Sequence, residues 1–151
     1  MAITDNLGMT LINSSDYVSP DPINTNFETL DALGLDYVTE QGTSGEWWYR
    51  KWKSGRAECG IDDKSFGNVA HTTAWGSMYH SAALSFGAYP FSFASRPFTS
   101  ITFQNADEHY SYVATGGSNS TTLSPSFYLC DPHSKTANNC HFGIYVCGRY
   151  K

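Results

Sequence analysis

Three groups of residues in this chain have side chains that could do chemistry. The first is Cys130, His133, Cys140, His141 and Cys147, a sulfur and imidazole set close in sequence. A structural zinc site needs two tight ligand pairs at loop or hairpin ends, and only Cys130-x2-His133 has that spacing. Cys147 falls in an expected strand, and the neighbours Cys140 and His141 would point to opposite faces of one. Buried thiols and loop histidines account for the set better, so no metal and no other cofactor is expected. A Cys130–Cys140 or Cys140–Cys147 bridge is compatible with an oxidising environment only.

The second group is the carboxylates Glu58, Asp62-Asp63 and Asp107-Glu108. Glycoside hydrolysis needs two carboxyl groups facing each other across a cleft, about 5–9.5 Å apart. Adjacent acids in turn-like stretches are solvated loop residues, and no nucleophile-elbow pattern accompanies the serines and histidines. No catalytic residue is assigned and no enzyme is expected. The third group is aromatic. Trp75, Tyr79 and His80 lie in a Gly/Ser-rich stretch, and His109, Tyr110 and Tyr112 form a second set. Aromatic faces take the C–H side of a sugar ring, while amides and carboxylates take its hydroxyls. The competing reading of equal weight places these rings in a core or an interface.

The elements that must hold these residues are mostly strands. Charged residues make up 15% of the 151 residues and aromatics another 15%, a low-charge, β-rich composition. The net charge of −5 offers no basic field for a nucleic-acid backbone. No apolar run approaches the ~18 residues of a membrane span, so no membrane insertion is expected. The opening MAITDNLGMTLINSSDY lacks the basic start and apolar core of a secretory signal, which predicts synthesis in the cytoplasm.

A helix is predicted over residues 22–33. Asp21 suits the N-cap, Pro22 the first turn, and Gly34 the left-handed position that stops it. Ile23, Phe27, Leu30 and Leu33 recur on one face. So short a helix is marginal alone, so it docks on its own β-domain or on copies of itself. Ile23 and Leu30 are a heptad apart, and Asn26 is polar one heptad before Leu33, as register-setting seam residues are. Burial would contribute roughly 1.5–3 kcal/mol per apolar side chain.

Beyond Gly34 the pattern reads as strands. A hairpin is predicted from residues 47–53 and 56–59 about a turn at Ser54-Gly55. Trp48, Arg50 and Trp52 would face one way, and Trp47, Tyr49, Lys51 and Lys53 the other. Residues 62–81 read as irregular, long loops with room for one short strand. Residues 82–93 read as a strand interrupted at Gly87 and Pro90, and 100–104, 110–115, 126–129 and 141–149 as further strands. Loops are expected at 116–122 and 131–139. The fold class is mainly β: an antiparallel, jelly-roll-like β-sandwich head (36–151) preceded by an arm and a short α-helical neck (1–35).

Three motifs occur together: INTNFETLDALG at 23–34, DYVTEQGTSGEWWYRKWKSGRAEC at 36–59, and FGIYVCGRYK at 142–151. The combination resembles the C-terminal regions of tail fibre and receptor-binding proteins of phages and prophages. The resemblance implies a helical neck, a β-sandwich head, a homotrimer, a place in the virion tail beside other phage tail proteins, and attachment to a bacterial cell-surface saccharide. It implies trimer contacts from Ile23, Phe27, Leu30, Leu33, Trp48 and Trp52, and receptor loops in the middle of the chain. Gly60 departs from it, since such sequences commonly carry Trp after the Glu-Cys pair. The alternatives are a structural tail protein that binds no receptor, or a glycan-degrading enzyme.

Overall fold

The computed structural model describes residues 20–32, 34, 36–105, 111–117 and 119–151. The chain divides into two units, Met1–Tyr37 and Val38–Lys151. In the first, helix α1 spans Pro20–Ala32. It starts two residues before the expected position, so Asp21 lies within its first turn. Both prolines have the φ that a first helical turn requires. Gly34 adopts φ +64°, the left-handed stop that the sequence called for. Phe27 is 64% exposed and Ile23 also lies in the open, while Leu30 is half-buried. Leu33 lies outside the described residues.

The second unit is mainly β, built from two antiparallel sheets. Its strands are β1 (Val38–Ser44), β2 (Trp47–Trp52), β3 (Arg56–Asn68), β4 (Thr73–Trp75), β5 (Met78–His80), β6 (Phe98–Asn105), β7 (Tyr112–Thr115), β8 (Phe127–Asp131) and β9 (Asn139–Arg149). One sheet has the order β1-β2-β3-β9-β6, the other β4-β5-β8-β7. The expected first hairpin is β2–β3, with Lys51 opposite Ala57 and Gly55 closing the turn at φ +84°. β1 adds a second hairpin before it, turning at Gly45.

Period-two alternation builds the core. Ala57, Cys59 and Ile61 of β3, Cys140, Phe142, Ile144 and Val146 of β9, and Phe127 and Leu129 of β8 all point inward and are buried. Phe127 carries the contact between the sheets. Its ring centroid lies 5.2 Å from Phe86 in a stack and 5.0 Å from Phe142 edge-on, with Phe66 5.7 Å away. Such aromatic pairs add about 0.5–1.5 kcal/mol each beyond the area they bury.

β2 shows the alternation residue by residue. Trp47 enters the core, Tyr49 packs on Phe91, and Lys51 lies within 5.5 Å of the ring centroids of Tyr49, Phe91 and Tyr150. Lys51 also binds Glu40 at 2.9 Å, and that hydrogen bond holds the Glu40 carboxyl below the ordinary carboxylate range. On the opposite face Trp48 and Trp52 are half-buried and Arg50 is exposed. Trp48 donates its indole N–H to Asp62 (2.8 Å) and lies 6.2 Å from the Tyr145 ring. Gly60 sits directly opposite Trp48. A Cβ on Gly60 would come 2.7 Å from the indole and 2.7 Å from the Ile144 carbonyl oxygen. The departure at this position is thus explained, because a tryptophan at 60 would occupy the space of Trp48.

Two sequence expectations are corrected. Residues 62–81 are not irregular. β3 runs on to Asn68 through two register shifts against β9, and β4–β5 form a hairpin turning at Gly76 (φ +62°). Residues 82–93, expected as a strand, form none. Gly87 at φ +83° and Pro90 break the ladder, leaving isolated bridges at Leu84–Phe127 and Ala88–Leu123. The segment still delivers Phe86, Tyr89 and Phe93 to the core.

None of the four cysteines forms a disulfide: Cys59, Cys130 and Cys140 are buried and Cys147 is half-exposed. In native protein treated briefly with iodoacetamide near neutral pH, Cys147 is expected to be alkylated first, giving one adduct by intact mass. Two or more adducts forming together would contradict this burial order.

Candidate functional site

The four-stranded sheet presents the site. In β8, Phe127 and Leu129 turn inward, so Tyr128 and Cys130 turn to the other face. Pairing brings partners to the same face: His80 stands opposite Cys130 on one side, Tyr112 opposite Cys130 and Ala114 opposite Tyr128 on the other. The β4–β5 turn places Trp75 at the edge of this row. The result is a pocket of about 240 Å³ lined by Trp75, His80, Ala114, Thr115, Gly116, Tyr128 and Cys130.

Trp75 is 66% exposed, and its ring meets His80 edge-on at 6.3 Å. His80 in turn meets Tyr128 edge-on at 5.5 Å. His80 Nδ1 lies 2.7 Å from the Ser81 carbonyl, which can only accept, so Nδ1 carries the proton and Nε2 is an acceptor in the neutral ring. Cys130 is the most buried lining residue, and burial raises its thiol above the ordinary range, although the Tyr112 hydroxyl acts in the opposite sense. The thiol is therefore neutral at physiological pH. The Tyr112 hydroxyl donates to Met78 Sδ at 3.4 Å, and burial raises that phenol too.

Of the residues singled out from sequence, Trp75 and His80 line the pocket. Tyr79 alternates to the opposite face of β5, half-buried. Tyr112 stands beside the pocket through Cys130 and Met78 without lining it. His109 and Tyr110 lie outside the described residues. Sequence reading missed Tyr128 and Cys130, although the alternation Phe127-Tyr128-Leu129 carries the signal that Tyr128 faces away from the core.

The carboxylates serve other ends. Glu58 accepts from Tyr145 (2.6 Å) and lies 3.7 Å from Arg50. Asp62 holds Trp48, and Asp63 pairs with His141 at 2.9 Å. Lys64 pairs with Glu46. Buried Asp131 accepts from the Ser111 hydroxyl and the His133 backbone N–H, both at 2.7 Å, which stabilises the turn after β8. Asp107 and Glu108 lie outside the described residues. Among the described residues no group of three or more His, Cys, Asp or Glu side chains is placed to hold a metal ion, and no helix is long and apolar enough to cross a membrane.

No family model matches this chain, and no curated protein matches it. Two solved structures are similar. An N-truncated R1-type pyocin tail fibre superposes with a TM-score of 0.50 at 12% identity, covering 81% of this chain and 94% of that one. A C-terminal part of the P. aeruginosa R1 pyocin fibre gives 0.48 at 13% identity, over 92% of this chain and 39% of that one. The first likeness defines a class of fold, a mainly β architecture of the kind found in a tail fibre.

Proposed function

We propose that this chain is the receptor-binding head of a phage-type tail fibre or tail tip, attaching to a bacterial cell-surface glycan as a homotrimer. The observation that carries the reading is Trp75, a largely exposed indole set edge-on to His80 at the mouth of an uncharged pocket. A large apolar ring kept in water beside a concavity is better explained by a ligand than by folding. The fold shared with a tail fibre and the three sequence motifs support the same role. Trimer contacts are assigned to the Ile23, Phe27, Leu30 and Leu33 face of α1, with Trp48 and Trp52 as further candidates.

The reading is of a binder rather than an enzyme, since Glu58, Asp62 and Asp63 each hold a structural partner and none lines the pocket. A lone sugar site binds in the millimolar to micromolar range, ~4–8 kcal/mol. Three such sites on one head would gain about 10²–10⁴-fold in avidity without new contacts.

The test is binding of the labelled protein to host-range panels of bacteria, beside its solution mass by light scattering. Three chain masses are expected, and Leu30→Asp should reduce the mass toward one chain. Trp75→Ala should keep the trimer and lower cell binding about tenfold or more. A trimer that coats no strain would make the chain a structural tail component. A Leu30→Asp protein that stays fully trimeric would remove α1 from the interface.

A further inference from the structure

We propose that the pocket between Trp75 and Tyr128 takes one neutral pyranose, and that a methyl-terminated substituent of this sugar, a 6-deoxy or an acetamido group, packs on Cys130. The inference rests on the receptor-binding reading and specifies its ligand. Size comes first. About 240 Å³ lies below the ~300–1,000 Å³ of pockets for drug-sized ligands, so the pocket accommodates one ring of a glycan and leaves the rest outside.

Charge comes second. None of the seven lining residues is Asp, Glu, Lys or Arg, and the chain carries a net −5. A uronic acid, sialic acid or phosphorylated sugar would lose hydration there with no lysine or arginine to compensate it, inside a field of its own sign. The lining chemistry comes third. Cys130, the deepest residue, is a neutral thiol beside Ala114 and Tyr128, which offers dispersion contact and only a weak hydrogen bond. A sugar hydroxyl placed there would lose a water partner and gain little, whereas a methyl group gains from the transfer.

Polar groups are available around this apolar base. Among the described residues the Tyr128 hydroxyl is used by no protein hydrogen bond, and His80 offers Nε2. These can take ring hydroxyls, while Trp75 covers a C–H face. The wall is also preformed. A Cβ on Gly116 would stand 2.1 Å from Tyr128 Cε2, so the Tyr128 ring rests directly on the Gly116 backbone. Gly116→Ala must push that ring aside and reshape the pocket while removing no functional group.

The experiment uses the full chain and matched methyl glycosides in the gluco, galacto and manno series: the parent hexose, its 6-deoxy form, its 2-acetamido form and its uronic acid. Binding is read by saturation-transfer NMR and by titration. In at least one series a methyl-bearing sugar should bind about fivefold or more tighter than the parent hexose, its methyl protons should receive the largest transfer, and the uronic acid should not bind. Trp75→Ala and Gly116→Ala should each weaken that binding about tenfold. Trp75 is exposed, so its variant folds whether or not Gly116→Ala does.

Uronic acids that bind as well as the methyl-bearing sugars would overturn the proposal. So would methyl-bearing sugars whose binding ignores Trp75, or a panel with no binder at all. Cell attachment separates this inference from the reading beneath it. Attachment without any sugar of the panel binding overturns the ligand class and leaves the receptor-binding role standing. Sugar binding without attachment to any cell overturns the role and leaves the pocket standing.

Discussion

Phe127→Ala is expected to destabilise the Val38–Lys151 unit by about 3–5 kcal/mol, a large part of the ~5–15 kcal/mol that holds a domain together. Phe127 is wholly buried and touches both sheets: Phe142 from one side, Phe86 stacked upon it, and Phe66 edge-on to it. Truncation removes these contacts together and leaves a cavity bounded by other rings, which are too rigid to collapse into it. Phe127→Leu keeps most of the volume and should cost less than half as much. The measurement is urea unfolding followed by tryptophan fluorescence, in which the midpoint should fall while the slope stays unchanged. A loss below 1 kcal/mol for the alanine variant would mean that the sheets are held together elsewhere. Phe127 adjoins Tyr128 in β8, so the same truncation should weaken ligand binding only to the extent that it unfolds the unit. Trp75→Ala should show the opposite pattern, lowering binding at unchanged stability.

The contrast between those two residues shows what could be read from sequence and what could not. Local signals were legible. The left-handed stop at Gly34 follows from the residue type. The division of β2 into Trp47, Tyr49 and Lys51 on one face and Trp48, Arg50 and Trp52 on the other follows from a period of two. Trp75 and His80 stood out because large aromatic side chains in a Gly/Ser-rich stretch are unusual. Long-range pairing was not legible. Nothing near Trp75 indicates that β5 lies beside β8, so Tyr128, Cys130 and Gly116 could not be added to the site without the sheet order. Residues 82–93 misled for a related reason. Their apolar alternation is real, because Phe86, Tyr89 and Phe93 are buried, but Gly87 and Pro90 leave the backbone without a continuous ladder partner. Burial pattern and strand pairing are separate properties, and the sequence shows the first more directly than the second. The turn from Trp48 toward Asp62, with Gly60 clearing space for the indole, is again a cross-strand fit that single-strand reading cannot see.

Raising the pH from 8 to 11 is expected to remove several kcal/mol of stability, because three acidic groups are held protonated by the fold. Burial pushes the Cys59 thiol up to about 12, with the neighbouring Glu58 charge adding to it. Burial likewise pushes the Tyr89 phenol up to about 12. The Tyr145 phenol is raised by donating to Glu58, and burial adds to that. In the unfolded chain these groups titrate near their ordinary values, about 9 for Cys and 10 for Tyr. Below about pH 8.5 both states hold these protons and the stability they confer is fully present. Between the unfolded and folded values the unfolded chain binds fewer protons than the native one, so stability falls as pH rises. Cys59 and Tyr89 each contribute a slope of about −1.4 kcal/mol per pH unit over their own windows, and Tyr145, which is 40% exposed, contributes less because solvent screens its interaction with Glu58. For Cys59, a shift from 9.0 to about 12 amounts to roughly 4 kcal/mol once that window is crossed. The thiol acts first, above pH 9, and the phenols join from pH 10. Denaturant unfolding at half-unit steps of pH checks this. Cys59→Ala should lose stability at pH 7 through the small cavity left in the core, yet flatten the decline between pH 9 and 10. A wild-type stability that stays level to pH 11, or a Cys59→Ala slope equal to that of the wild type, would place the alkaline sensitivity outside the core thiol.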